Sequence, residues 1–201
     1  MHNKIARLVC AMSALVGAPH DVQAAVIAGG RLSVIDANVD VTRTYLDGGG
    51  AGFTNELFLV MPSNPNVIFN NHVANPGTSS FNLGKFEAGT ELAFKIASNN
   101  GSSVIDYSTG AAGGNPDGAI HALVDDVFSD PFNAGQLRVK VAFEDLPNPM
   151  LSDPGAYTDM VFSLNNVMVT AVPLSGSLGL FGVALGGIVG LRARKAGTNQ
   201  G

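Results

Sequence analysis

Thr90-Glu91-Leu92-Ala93-Phe94-Lys95-Ile96-Ala97 sets Leu92, Phe94 and Ile96 on one side and Ala93, Lys95 and Ala97 on the other. A period of two is the signature of a strand with one buried face. Asn99-Asn100-Gly101 then turns the chain back into a second strand at Val104 to Tyr107. The same pattern runs outward in both directions. Toward the N-terminus it predicts strands at Arg31 to Ile35, Asn38 to Tyr45, Glu56 to Met61 and Val67 to Phe69, with Asp47-Gly48-Gly49-Gly50 as a break. Toward the C-terminus it predicts Ala119 to Val124, Gln136 to Phe143, Met160 to Leu164 and Asn166 to Val172. In Gln136 to Phe143, Leu137, Val139, Val141 and Phe143 alternate with Arg138, Lys140 and Ala142. No helical stripe separates these runs. Short strands at this density predict an all-β chain, a single two-sheet β-sandwich of jelly-roll-like form over residues 26–170.

Both ends have a different composition. Residues 1–25 carry Lys4 and Arg7, an apolar stretch from Leu8 to Ala18, and Val22-Gln23-Ala24 as a small-residue cleavage site, the pattern of a secretory signal peptide. The one cysteine, Cys10, lies in that segment, so the exported chain has no disulfide, no thiolate-held zinc and no cysteine nucleophile. Of eleven Lys and Arg, five fall in the terminal segments, and of sixteen Asp and Glu only Asp21 does; the body carries six against fifteen, a net charge of −9. Such a surface repels phosphate backbones, and no nucleic-acid partner is expected.

Residues 171–201 open with Val172-Pro173-Leu174-Ser175, continue as an uncharged run over residues 174–191, and close with Arg192, Arg194 and Lys195. That run is long enough to cross a bilayer as a helix, and the basic cluster holds its far end in the cytoplasm, leaving the preceding body outside. Polar motif, glycine-rich apolar helix and basic tail together resemble a PEP-CTERM sorting signal. The resemblance implies processing by an exosortase-type enzyme, first at the inner membrane with the body on the periplasmic side, then release to the cell surface or outside. Of the usual Val-Pro-Glu-Pro, the chain keeps Val172 and Pro173. A plain membrane anchor is the other reading of the same segment.

The segment Phe143 to Phe162, FEDLPNPMLSDPGAYTDMVF, places Glu144, Asp145, Asp153 and Asp159 within sixteen residues. If the flanking strands pair, the ends of this loop converge and the carboxylates share one end of the sandwich. Such a group repels itself unless a cation sits within it, and Ca²⁺ accepts six to eight oxygen ligands. A solvated loop whose carboxylates cap turns is the alternative. His72 and His121, with Asp117, form a second candidate set for metal or acid–base chemistry, against an ordinary role in bonding loop backbone. Asp36, Asn38 and Asp40 imitate the start of an EF-hand loop, but Val41 stands where glycine is needed, and the alternation reads as the solvent face of a strand.

The Glu-Asp-Leu opening at Glu144, the later Tyr157-x-Asp159 and the Val161-Phe162 ending resemble the domain of unknown function 4114, common in PEP-CTERM proteins. Asn71-His72-x-Ala74-x-Pro76-Gly77, Ala88-Gly89-Thr90-Glu91, Tyr107-x-Thr109-Gly110, Asn115-Pro116-Asp117-Gly118 and His121-Ala122 are similar to it as well. The acidic pattern of that family supports a calcium site; here Ala156 and Thr158 stand where Asp and Asn are usual.

No Gly-x-Ser-x-Gly elbow, phosphate-binding loop or His-Glu-x-x-His is present, and tryptophan is absent. The expectation is a secreted or surface-anchored, non-catalytic structural protein of the cell envelope or extracellular polysaccharide matrix, with Ca²⁺ as its only cofactor. The alternatives are a polysaccharide-binding module contacting its partner through Ser108 to Gly118, and a glycan hydrolase acting through Glu144 and Asp145.

Overall fold

The computed structural model describes residues 25–133 and 136–171. Twelve strands form: β1 (Val26–Ala28), β2 (Arg31–Val34), β3 (Val41–Asp47), β4 (Thr54–Met61), β5 (Asn64–Asn70), β6 (Ser80–Gly84), β7 (Glu91–Asn99), β8 (Val104–Ser108), β9 (Ala122–Ser129), β10 (Leu137–Phe143), β11 (Met160–Leu164) and β12 (Val167–Thr170). They build two antiparallel sheets. The first has the order β1-β9-β10-β11-β3-β6, and the second β12-β2-β7-β4-β5, with β8 also paired to β7. The all-β, two-sheet expectation is met.

The alternation explains the layering. Leu92, Phe94 and Ile96 of β7 and Leu57 and Leu59 of β4 are buried from the second sheet, while Val141, Phe143, Phe162 and Leu164 of β10 and β11 are buried from the first. These residues join one apolar cluster. Phe94 and Phe162 meet across it edge to face, with ring centroids 5.2 Å apart.

The outer face of the first sheet is not open to water. Leu123, Ala142 and Val161 face outward but are buried beneath the β10–β11 loop, whose Tyr157 packs onto them and donates its hydroxyl to the Ile120 carbonyl at 3.0 Å. Beside this apolar patch, Arg138 is buried on the outer face next to the inward Val139, so β10 keeps the expected alternation from Arg138 to Phe143, while Leu137 at the start of the strand is 73% exposed instead of inward. The Arg138 guanidinium donates to the hydroxyls of Thr44, Ser163 and Thr42, and lies 3.7 Å from the buried Asp130 carboxylate. The register shift beside it belongs to β9, where three steps from Phe128 to Asp125 oppose two from Arg138 to Lys140, a bulge that an alternation count does not find.

Three further differences have local causes. Val26–Ala28 and Ser80–Gly84 form edge strands that were not expected, because three residues in one case and a polar, mostly exposed run in the other carry no period-two signal. The strand expected from Asn38 begins instead at Val41. Asp36 Oδ1 accepts the Asn38 N–H at 2.8 Å, and the Asn166 amide donates to the carbonyls of Asp36 and Val39, so the Asp36–Asp40 repeat is a clamped turn and not a strand face.

Arg43 of β3 points inward, is 0% exposed, and has no hydrogen-bond partner on any guanidinium nitrogen among the described residues. Its charge is sandwiched between two rings, with Cζ 5.8 Å from the centroid of Phe69 on β5 and 4.3 Å from that of Phe81 on β6. Ring faces stabilise a cation but accept hydrogen bonds weakly. Because β5 and β6 are end strands of opposite sheets, Arg43 marks the opening between them.

The signal segment 1–24 and the sorting segment, with Val172, Pro173, the run 174–191 and Arg192, Arg194 and Lys195, lie outside the described residues. Among the described residues no helix is long and apolar enough to cross a membrane.

Candidate metal centre

Strand pairing gathers the carboxylates. Phe143 of β10 is opposite Met160 of β11, so the loop between them leaves and returns at one point. Glu144 donates its N–H to the His121 carbonyl on one side at 3.1 Å, and Asp159 donates its own to the Phe143 carbonyl on the other at 3.0 Å. Both residues are thereby fixed to the sheet end. Glu144 and Asp145 are buried and Asp159 is half-buried. One carboxylate oxygen from each of the three lies within 4.8 Å of the others.

Two more elements complete the wall. Asn55, fully buried at the start of β4 in the opposite sheet, donates its amide to Asp145 Oδ2 at 2.7 Å, while its own Oδ1 has no hydrogen-bond partner among the described residues. The Gly48–Phe53 loop closes over the cluster from the end of β3, framing a depression of ≈ 260 Å³ lined by Gly49, Phe53, Glu144, Asp145, Leu146 and Asp159, among others. Gly49 makes that closure possible: its φ is +54°, and a Cβ there would stand 2.5 Å from the Thr158 carbonyl oxygen. Glycine alone combines this backbone angle with that approach.

The electrostatics show carboxylates short of counter-charge. Burial, assisted by the Asp159 carboxylate, pushes Asp145 up to about 6 against the pull of the Asn55 hydrogen bond. Burial and the Glu144 carboxylate push Asp159 up to about 6 as well, against the N–H bond it accepts from Asp145 at 2.8 Å. The three-carboxylate group can hold a metal ion: it supplies clustered oxygens and an approach from solvent.

Asp117 lies on the opposite side of this balance. Burial by itself would raise it, but N–H groups of Asn148 and Ala119, and the His121 ring, bring it down to about 2. Each group makes a different pH contribution. In chelator, native Asp145 and Asp159 hold protons that the unfolded chain, with a carboxylate pKa of about 3.9, has released. Their contribution is therefore full below about pH 4 and lost as pH rises through about 6. The contribution of Asp117 is full above about pH 4 and lost as pH falls toward 2. The unfolding midpoint in chelator should fall between about pH 4 and 6 by more than it does in Asp145→Asn, and equal slopes in the two proteins would contradict the assignment.

No family model, curated protein or solved structure matches the chain. The site thus stands on its own geometry.

Of the four carboxylates singled out in the sequence, Glu144, Asp145 and Asp159 come together and Asp153 does not. Asp153 is exposed, in a turn that closes on Met150 and leads into the short 3-10 segment Pro154–Ala156, which turns the chain back toward Tyr157. The histidines do not converge either. His121 is fully buried, its ring stacked on Tyr107 at 3.7 Å, with Nδ1 2.8 Å from the Glu144 carbonyl and Nε2 3.0 Å from the Asp117 carboxylate. It props the backbone of the acidic cluster from behind. His72 is exposed and touches the Thr54 hydroxyl and the Ala51 carbonyl. Asn55 lies just before the strand expected from Glu56, and nothing near it in sequence points to Asp145.

Proposed function

We propose that the chain is an exported, non-catalytic structural module of the cell envelope or extracellular polysaccharide matrix, tied together at one end by Ca²⁺. Glu144, Asp145 and Asp159 from the first sheet carry this reading: three buried or half-buried acids form a hard-oxygen donor set, and the Asn55 amide of the second sheet is bonded to one of them. A cation there fastens both sheets and the Gly48–Phe53 loop, which is a stabilising role. The signal segment, the sorting segment and the exosortase-type processing belong to the same proposal and rest on the sequence motifs, as do the jelly-roll form and the likeness to the domain of unknown function 4114. The hydrolase reading has less support, since Glu144 and Asp145 are neighbours in one crowded cluster, whereas a glycosidase sets its two carboxyls on either side of a sugar bond.

The test is thermal unfolding of the full chain in millimolar Ca²⁺ and in excess chelator. A ligand at a hundred times its dissociation constant adds about 2.7 kcal/mol. For a body of this size, that is on the order of 8 °C in the midpoint. The rise should vanish in Asp145→Asn and Asp159→Asn and persist in Asp153→Asn. An unchanged midpoint in the parent chain, or a rise that survives both of the first two substitutions, refutes the calcium site.

A further inference from the structure

Arg43 points to a second site, unrelated to the acidic cluster. It presents five N–H donors in a planar fork, none of which has a partner among the described residues. Buried donors without acceptors are rare in folded proteins, and a charged one is rarer. Phe81, 38% exposed on the end strand β6, covers one side of the guanidinium. Phe69 covers another side and also lines a depression of ≈ 380 Å³ between β5 and Ser79–Ser80, where hydroxyl groups line the approach. Two end strands, two rings and an unanswered guanidinium thus meet beside that depression, which Phe69 lines.

We propose that Arg43 is the receptor for a small oxyanion, a carboxylate or sulfate group that enters between β5 and β6 when the Phe81 ring swings aside. The planar fork fits such a group through two parallel hydrogen bonds, which neither ring face supplies. The rings then serve as walls that exclude water and strengthen the ion pair. The group can arrive as an inorganic anion or on an acidic sugar, and the experiment separates the two.

The experiment labels the full chain with phenylglyoxal at constant ionic strength and follows Arg43 and the exposed Arg31 by peptide mass. Sodium sulfate, sodium glucuronate and a soluble polyuronate are the probes. At ten times its dissociation constant, a probe that occupies the site should slow labelling of Arg43 about tenfold and leave Arg31 unchanged. Protection by sulfate alone assigns an inorganic anion, and protection by glucuronate and polyuronate assigns a sugar-borne carboxylate. Phe81→Ala should speed labelling of Arg43 and keep the protection. A saturable rise of the unfolding midpoint with the protecting probe should be absent in Arg43→Met. The proposal falls if Arg43 stays unlabelled in both the parent chain and Phe81→Ala, or if it is labelled at a rate that no probe changes. It falls equally if Arg43→Met responds to the probes as the parent does.

Discussion

Replacing Asp130 with alanine is expected to cost about 3–5 kcal/mol of stability, read from urea unfolding with an unchanged denaturant slope. Asp130 is 1% exposed and organises the polar half of the first sheet's outer face. Its carboxylate accepts from the Ser163 hydroxyl, from the Phe132 N–H at 2.8 Å and from the Asn133 amide at 3.0 Å, and it faces Arg138. Burial raises its pKa, but these partners outweigh that and hold it ionised below the usual carboxylate range. Without it, the buried Arg138 charge has only hydroxyls as hydrogen-bond partners among the described residues. An uncompensated charge, more than the lost attraction, produces the cost. The companion double substitution, Asp130→Ala with Arg138→Met, should therefore recover much of the loss. A single-substitution cost below about 1 kcal/mol would mean that water reaches Arg138 and the network is a surface feature.

Phe162→Ala should cost a comparable amount, about 3–5 kcal/mol, through the cavity it leaves between the sheets. The position is fully buried, and neighbours on paired strands have little freedom to collapse inward. Part of that cost belongs to the pair with Phe94, and a double-mutant cycle should return a coupling of about 0.5–1.5 kcal/mol for edge-to-face rings. Guanidinium unfolding of the parent, both single variants and the double variant measures it. Additive losses would show that the two rings contribute by burial alone.

These effects follow the line between what the residue order reveals and what it hides. β7 is legible because every second side chain enters the core without interruption. β10 is legible from Arg138 to Phe143, where the alternation holds; what the residue order hides is that its outer residues Arg138 and Ala142 are covered as well, and that β9 bulges against it. Convergence of Glu144, Asp145 and Asp159 followed from a strand–loop–strand reading, because paired strands must bring the loop ends together. Asp153, equally acidic, depended on the path of the loop between those ends. Asn55 and Arg43 were opaque for a common reason. Each is a polar residue on an inward strand position, and what it meets comes from strands distant in sequence: Asp145 on one hand, Phe69 and Phe81 on the other.

The β10–β11 loop is pinned at both ends, by Glu144 and Asp145 of the acidic cluster where it begins and by Tyr157 over the apolar patch where it returns. Between the pins, Met150 and Leu151 are exposed side chains beside Pro149. A protease that cuts there severs the covalent chain without touching either fastening, and the nicked molecule keeps both halves together through strands β10 and β11. For the exported module proposed above, a cut in this loop is then a tolerated wound: the chain is severed there and the sandwich stays assembled.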